Sequence, residues 1–176
     1  MNRALRLHPD SGPRPTFRID VAVRRPELTR LGLRFGVTGN IGKIAWPAPA
    51  PSQRRDDLWQ HSCFEVFLRR PADEGYCEFN FAPSTQWAAY SFERYRTGVR
   101  DLVIAVPVIT VVRDAENFVL DAQFSLPETF AAPLRLALSA VIEDLDGTLS
   151  YWALNHPIGK PDFHHRDGFA LELGAP

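Results

Sequence analysis

An alternation of apolar and polar residues with a period of two runs through most of this sequence. Residues 17–24, for example, are Phe-Arg-Ile-Asp-Val-Ala-Val-Arg. Because successive side chains of a β-strand point to opposite faces, such an alternation predicts a strand with one buried face. The same pattern recurs along the chain in segments 31–37, 41–46, 64–68, 77–81, 87–95, 107–112, 118–125, 134–142, 149–154 and 169–173.

Turn-forming sequences separate the predicted strands. Gly39-Asn40 and segments 114–117 and 144–147 are examples, and the chain contains 15 Pro and 11 Gly. Only residues 53–58 and 127–132 have the character of short helices. About ten to twelve short strands joined by hairpins predict an all-β fold, an antiparallel β-sandwich of jelly-roll-like type with at most short helices. The length of 176 residues favours a single domain over residues 1–176.

Charge and hydrophobicity exclude several classes of function. Twenty basic and 21 acidic residues give a net charge of −1, so no overall field attracts nucleic acid or an anionic membrane. The longest apolar run, 102–112, contains Pro107 and is shorter than the ~20 residues of a membrane span. We therefore expect a cytoplasmic protein without nucleic-acid or membrane partners. A homodimer remains an alternative, because the exposed edge strands of a sandwich can pair with those of a second copy.

Two carboxylates are predicted to share one face of adjacent strands. Burying the apolar residues of 64–68 and 77–81 leaves Glu65, Glu78 and Asn80 on the opposite face. With 69–75 as the hairpin loop, we expect Glu65 directly across from Glu78. Opposed like charges are unfavourable, so this pair needs a cation, an arginine, hydrogen-bonding neighbours or a shared proton. Pairing with Arg94, Arg96 or a loop arginine is the structural alternative to ligand binding.

The two cysteines are predicted to be free thiols. In the same register Cys77 faces Val66, about 10 Å along the strand from Cys63. That separation exceeds the ~7 Å between Cα atoms that a disulfide bridges.

Two tryptophans are predicted to join this polar face. Burying Tyr90 and Phe92 places Trp87 outward, and burying Tyr151 places Trp152 outward. Indole rings beside carboxylates and amides can form a platform for a sugar ring. The alternative is that both rings close the end of the sandwich core.

Residues 58–68, Leu-Trp-Gln-His-Ser-Cys-Phe-Glu-Val-Phe-Leu, and 76–90 resemble the DOMON-like superfamily, which includes the family-nine carbohydrate-binding modules. The shared pattern is Leu-Trp, a polar stretch, Glu-Val-Phe, then Tyr-x-Glu-Phe-x-x-x-Pro and a tryptophan. The resemblance extends to an uncharacterised bacterial branch of that superfamily through residues 151–157 and 161–165.

The resemblance implies a sandwich that binds a ligand without transforming it. Relatives bind sugars or haem, and the motif carries this expectation to Trp59, Glu65, Glu78 and Trp87. Sugar-binding relatives also hold calcium, but where they are acidic after Leu-Trp this chain has Gln-His-Ser, which argues against calcium. Haem-binding relatives use Met with His, and the only methionine here is Met1.

The sequence therefore predicts a non-catalytic domain that binds a carbohydrate or a sugar derivative on a polar, Trp-bearing sheet face. The expected ligand-binding residues are Trp59, His61, Glu65, Glu78, Asn80, Trp87, Trp152 and His156. No catalytic residue, metal ligand or cofactor is predicted, with calcium and haem left open. The alternatives are a scaffold domain that has lost its ligand, a metal or haem site in which His61 approaches His156, His164 and His165, and a glycosidase using the two glutamates.

Overall fold

Antiparallel β-strands make up nearly all of the regular structure. The computed structural model describes residues 1–12, 14–130 and 133–174, and these form thirteen strands and three 3₁₀ turns. The strands are β1 Asn2–Ala4, β2 Arg6–Leu7, β3 Phe17–Glu27, β4 Arg30–Gly39, β5 Cys63–Arg69, β6 Tyr76–Phe81, β7 Trp87–Phe92, β8 Arg100–Asp101, β9 Val108–Arg113, β10 Asn117–Ser125, β11 Leu134–Glu143, β12 Leu149–Ala153 and β13 Leu171–Leu173. The 3₁₀ turns are Leu58–Gln60, Glu128–Phe130 and Arg166–Gly168.

The strands form two sheets that pack face to face. The smaller sheet has five strands in the order β1-β3-β4-β10-β9. The larger has eight, in the order β2-β12-β11-β5-β6-β7-β8, with β13 also pairing with β11. Ring centroids of Phe35 on β4 and Phe64 on β5 are 5.0 Å apart, and those of Phe79 on β6 and Phe124 on β10 are 4.7 Å apart. These contacts place the main core between the sheets and confirm the predicted all-β sandwich.

The central strands of the larger sheet are buried on both faces. Every residue of β6 is buried, and so is every residue of β5 except Arg69. The inward side chains belong to the main core. Outward side chains form two smaller clusters. The first contains Leu58, Cys63, Ala82 and Ala88, and the second contains Phe67, Tyr76, Ala137 and Phe169. Loops therefore cover part of the outer face of this sheet and enclose a site there.

Three local predictions differ from the structure. Residues 41–46 were predicted as a strand, but they form a turn in which Ile41 and Ile44 are both buried in the core. Their spacing of three, with Ile44 N–H donating to the Ile41 carbonyl, breaks the period of two. Segment 53–57 is not helical, and the turn begins only at Leu58. In 127–132 a 3₁₀ turn covers 128–130, and residues 131 and 132 lie outside the described residues.

Both cysteines are buried free thiols, as predicted. Cys63 faces outward on β5 and Cys77 faces the main core on β6. The register differs from the expected one, since Cys77 is opposite Leu68. No helix in the described ranges is long and apolar enough to cross a membrane.

A candidate ligand pocket on the outer face of the larger sheet

Two rows of outward-facing side chains cross the larger sheet. In the first row Ser139, Glu65 and Asn80 are neighbours on β11, β5 and β6. In the second row Phe67, Glu78 and Tyr90 are neighbours on β5, β6 and β7. The glutamates are thus on one face, as parity predicted, but their predicted direct opposition is wrong. They are diagonal neighbours, which separates the carboxyls and places an amide opposite Glu65.

The two carboxyl groups are buried and hydrogen-bonded to neutral partners. Glu65 is 2% exposed and Glu78 is 6% exposed. Ser139 Oγ donates to Glu65 Oε2 at 3.3 Å, and Asn80 Nδ2 donates to Glu78 Oε1 at 2.8 Å. Glu65 Oε1 and Asn80 Oδ1 are buried and have no hydrogen-bond partner among the described residues. One carboxyl oxygen on the pocket floor is therefore left for a ligand or a proton.

No arginine neutralises the pair within the described part of the chain. Arg96 donates to Asp162 Oδ1 at 2.9 Å instead. The nearest basic atom to Glu78 Oε2 is Nε2 of His164, at 3.9 Å. The pairing with Arg94 or Arg96 that we considered as a structural alternative is not formed.

Burial controls the ionisation of these groups. It raises the pKa of Glu65 well above its usual range, and the neighbouring Glu78 raises it further. It also raises the pKa of Glu78 to about 7, against the hydrogen bond from Asn80 and the charge of Arg96. Burial and the charge of Arg96 lower the pKa of His164 to about 4, so its imidazole is neutral near pH 7. The pair therefore retains at least one proton near neutral pH.

Above the carboxyls lies a pocket of about 820 Å³ with aromatic walls. Its aromatic lining consists of Trp59, Tyr90, Phe92, Tyr151 and Phe163. Trp59, on the first 3₁₀ turn, is 51% exposed. The Tyr90 hydroxyl donates to Asp56 Oδ1 at 2.6 Å, which fixes that ring at the rim. Acidic and basic side chains also line the pocket, namely Asp56, Asp57, Asp101, Arg96, Arg100 and Lys160.

Hydrogen bonds hold two loops against the sheet beside the pocket. The Tyr95 hydroxyl donates to Asp162 Oδ2 at 2.6 Å, which joins the loop after β7 to the loop after β12. The Tyr76 hydroxyl, on β6, is hydrogen-bonded to Nδ1 of His164 at 2.8 Å and accepts from the Arg96 backbone N–H at 3.1 Å. This network positions the Phe163 segment over the floor.

The predicted outward orientation of Trp87 and Trp152 is wrong. They are 6% and 5% exposed and belong to the core between the sheets. Trp152 packs 5.3 Å from Phe17 between ring centroids. Both strands carry large apolar side chains on both faces, and the larger indole is the one that fills the core. Tyr90, Phe92 and Tyr151, which the alternation predicts in the core, face outward in their place.

The remaining predicted residues are distributed unevenly around the pocket. Trp59, Glu65 and Glu78 line it, and Asn80 lies in the floor beside them. His61 is exposed and bonds Glu143 Oε2 at 2.7 Å, outside the pocket lining. His156 bonds the Arg6 carbonyl at 2.8 Å. The structure brings together only the first four.

The four histidines of the alternative metal or haem site bond separate partners. His164 bonds Tyr76, whereas Nδ1 of His165 accepts from the Asp167 backbone N–H at 3.3 Å. No group of three His, Cys, Asp or Glu suited to a metal ion occurs in residues 1–12, 14–130 and 133–174. Phe163 and His164, which sequence analysis did not assign to the ligand pocket, belong to the 161–165 segment on which part of the family resemblance rests.

Solved structures of other proteins share this fold. A candidate carbohydrate-binding protein from Bacteroides uniformis is similar with a TM-score of 0.65 and 12% identity, over 95% of this chain and 83% of that one. A family 9 carbohydrate-binding module from Caldicellulosiruptor kristjanssonii in complex with cellotriose has a TM-score of 0.55 and 7% identity, over 88% and 74%. Such a module from that organism in complex with glucose has a TM-score of 0.51 and 8% identity, over 84% and 72%.

No protein-family model matches the sequence, and no curated protein matches it. At identities of 7–12%, the structural similarity is a similarity of fold. The chain has the β-sandwich fold of carbohydrate-binding modules, and its DOMON-like resemblance stays a prediction.

Proposed function

We propose that this protein binds a carbohydrate, without transforming it, in the pocket on the outer face of the larger sheet. The observation that carries the proposal is that one pocket combines buried carboxyl groups on its floor with aromatic rings on its walls. A sugar presents hydroxyl groups at its ring edge and C–H groups on its ring faces. Carboxyl oxygens accept hydrogen bonds from the hydroxyls, and aromatic rings pack against the C–H faces.

The size of the pocket and the placement of Trp59 support this proposal. The volume of about 820 Å³ lies within the ~300–1,000 Å³ usual for small-molecule sites. Trp59 is half-exposed at the rim although it is the largest kind of apolar side chain. A ligand that packs on this ring would bury it at little conformational cost, because the indole has only two rotatable side-chain bonds.

The fold comparison supports the same ligand class. Two of the similar structures are modules in complex with cellotriose and glucose. Of the four residues to which the family resemblance carries ligand binding, Trp59, Glu65 and Glu78 line the pocket, whereas Trp87 is buried in the core. The proposal requires no cofactor and no catalytic step.

Calorimetric titration of the purified chain with glucose and cello-oligosaccharides tests the proposal. We expect saturable binding that weakens at least tenfold in Trp59→Ala. Leu145→Ala is the control, because Leu145 is 72% exposed in the turn between β11 and β12 and does not line the pocket. Absence of binding to any sugar would favour the scaffold alternative, and binding unaffected by Trp59→Ala would exclude this pocket.

A further inference from the structure

The carboxyl pair on the pocket floor lacks a positively charged partner. Glu65 and Glu78 are more than nine-tenths buried, and both line the pocket. The one basic group in contact with them in the described chain is His164, 3.9 Å from Glu78, and its imidazole is neutral near pH 7, while the charge of Arg96 acts on Glu78 without an ion-pair contact. Oε1 of Glu65 has no hydrogen-bond partner at all among the described atoms. Buried carboxylates are ordinarily paired, so this floor is incomplete without a proton or a cation.

The arginines around the rim are already paired with other carboxylates. Arg96 donates to Asp162 at 2.9 Å, and Arg100 donates to Glu93 at 2.6 Å. Arg54 bridges Asp56 and Asp101, at 2.9 Å and 2.5 Å. These arginines are therefore held on other carboxylates, and within the described residues neither they nor Lys160, which also lines the pocket, forms an ion pair with Glu65 or Glu78.

We propose that the pocket selects carbohydrates that carry a protonated amine, with the ammonium group bound by Glu65 and Glu78. This inference rests on the proposed function and specifies its ligand class as amino sugars. An ammonium group has three N–H donors and no acceptor, which complements the acceptor oxygens of the floor, including the unpartnered Oε1 of Glu65. The aromatic walls favour the same ligand, since ring faces attract cations.

Proton release accompanies this mode of binding. The empty pair holds at least one proton near pH 7, and a bound ammonium favours the ionised carboxylates. The carboxyl O–H bond breaks, and its proton passes to the solvent while the carboxylate pairs with the ammonium. A neutral sugar of the same ring shape releases no proton.

The other groups that face the pair do not titrate near neutral pH. Burial raises the pKa of Tyr76 to about 12 and raises the pKa of Tyr90 and of Cys63 as well. The pKa of His164 is lowered to about 4. From β11 the pair is faced by the hydroxyl of Ser139, and from the loop after β7 by the permanently charged Arg96. At pH 6 the amine of an amino sugar is already an ammonium group, so proton release on binding at that pH reports on Glu65 and Glu78.

Three sugars that differ only at the second ring carbon test the inference. We would titrate the full chain with glucose, glucosamine and N-acetylglucosamine by calorimetry at pH 6, where the amine is fully protonated and the pair still holds protons, in buffers of different ionisation enthalpy. Glucosamine should bind at least tenfold more tightly than the two neutral sugars. Equal affinities would overturn this inference and leave the proposed function standing, whereas no binding of any sugar would overturn both.

Glutamine variants attribute the selectivity to the floor. Glu78→Gln keeps the oxygen that accepts from Asn80 and removes the charge, and Glu65→Gln is the second variant. In each, the ratio of glucosamine to glucose affinity should fall at least fivefold, and the proton release seen with glucosamine should decrease. Glu116→Gln, an exposed glutamate in the turn before β10, is the matched control and should keep the wild-type ratio. A ratio retained in both floor variants would refute the assignment.

Discussion

Replacing Glu78 by glutamine removes a charge that the fold is forced to bury, and the effect on stability depends on pH. The unfolded chain ionises this group near its ordinary pKa of 4.5, whereas the folded chain holds the proton up to about pH 7. Between these values the folded state binds more protons than the unfolded state. The free energy of unfolding of the wild type therefore falls as the pH rises from about 4.5 to about 7.

The size of this effect follows from the change in pKa. One pKa unit corresponds to about 1.4 kcal/mol, so the rise from 4.5 to about 7 at Glu78 costs the native state about 3 kcal/mol once the group has ionised. Glutamine resembles the protonated carboxyl and never ionises. We expect Glu78→Gln to exceed the stability of the wild type by only about 1 kcal/mol at pH 5 and by about 3 kcal/mol at pH 8. For a chain of this length that is a rise of about 6–12 °C in Tm.

Urea unfolding curves at pH 5, 6, 7 and 8 measure the difference. The gap between Glu78→Gln and the wild type should open across pH 5–8, while Glu116→Gln, an exposed glutamate, should follow the wild type throughout. Stability curves for Glu78→Gln and the wild type that run parallel over this range would refute the reasoning, because they would show that Glu78 is ionised in the folded protein at pH 5.

Two further predictions concern the tryptophans and the sheet edge. Trp87→Ala should lower the free energy of unfolding by about 3–5 kcal/mol, because the indole is buried in the core. Trp59→Ala should change it by less than ~0.5 kcal/mol, because that side chain is half-exposed. Similar losses for the two variants in urea unfolding would contradict a buried Trp87 and an exposed Trp59. We also predict a homodimer paired through β9, whose outer edge has no partner among the described strands and whose Val108 and Val112 are 63% and 70% exposed. Light scattering should give a dimer for the wild type and a monomer for Val112→Lys, and a monomeric wild type would exclude this pairing.

The fold could be predicted from the sequence because its strands repeat one local rule. Alternation in segments such as 17–24 and 118–125 depends only on which face of the strand is buried. Each strand can therefore be recognised from its own residues, without knowledge of its neighbours in the sheet. The same rule placed Glu65, Glu78 and Asn80 on one face. It could not set the register, because a shift of two residues leaves every side chain on its face. The pairing of Glu65 with Asn80 is such a shift.

The alternation of apolar and polar residues does not predict which side chains form the walls of the pocket. In β7 the apolar residues Trp87, Ala89 and Tyr90 occur on both faces, so alternation does not identify the buried one. Phe163 and His164 come from a loop that the long-range hydrogen bond between His164 and Tyr76 holds against the sheet. Such contacts join residues far apart in the sequence, and no local pattern encodes them.

Because β5 and β6 are buried on both faces, we expect their amide hydrogens to be among the slowest to exchange with solvent. The floor of the pocket thus lies on the least deformable part of the molecule, and a ligand meets carboxyls that are already in position. Binding then costs little reorganisation of the floor. Loops around Trp59 and Phe163 can diverge in sequence to fit different ligands, while the strands beneath them keep the fold intact.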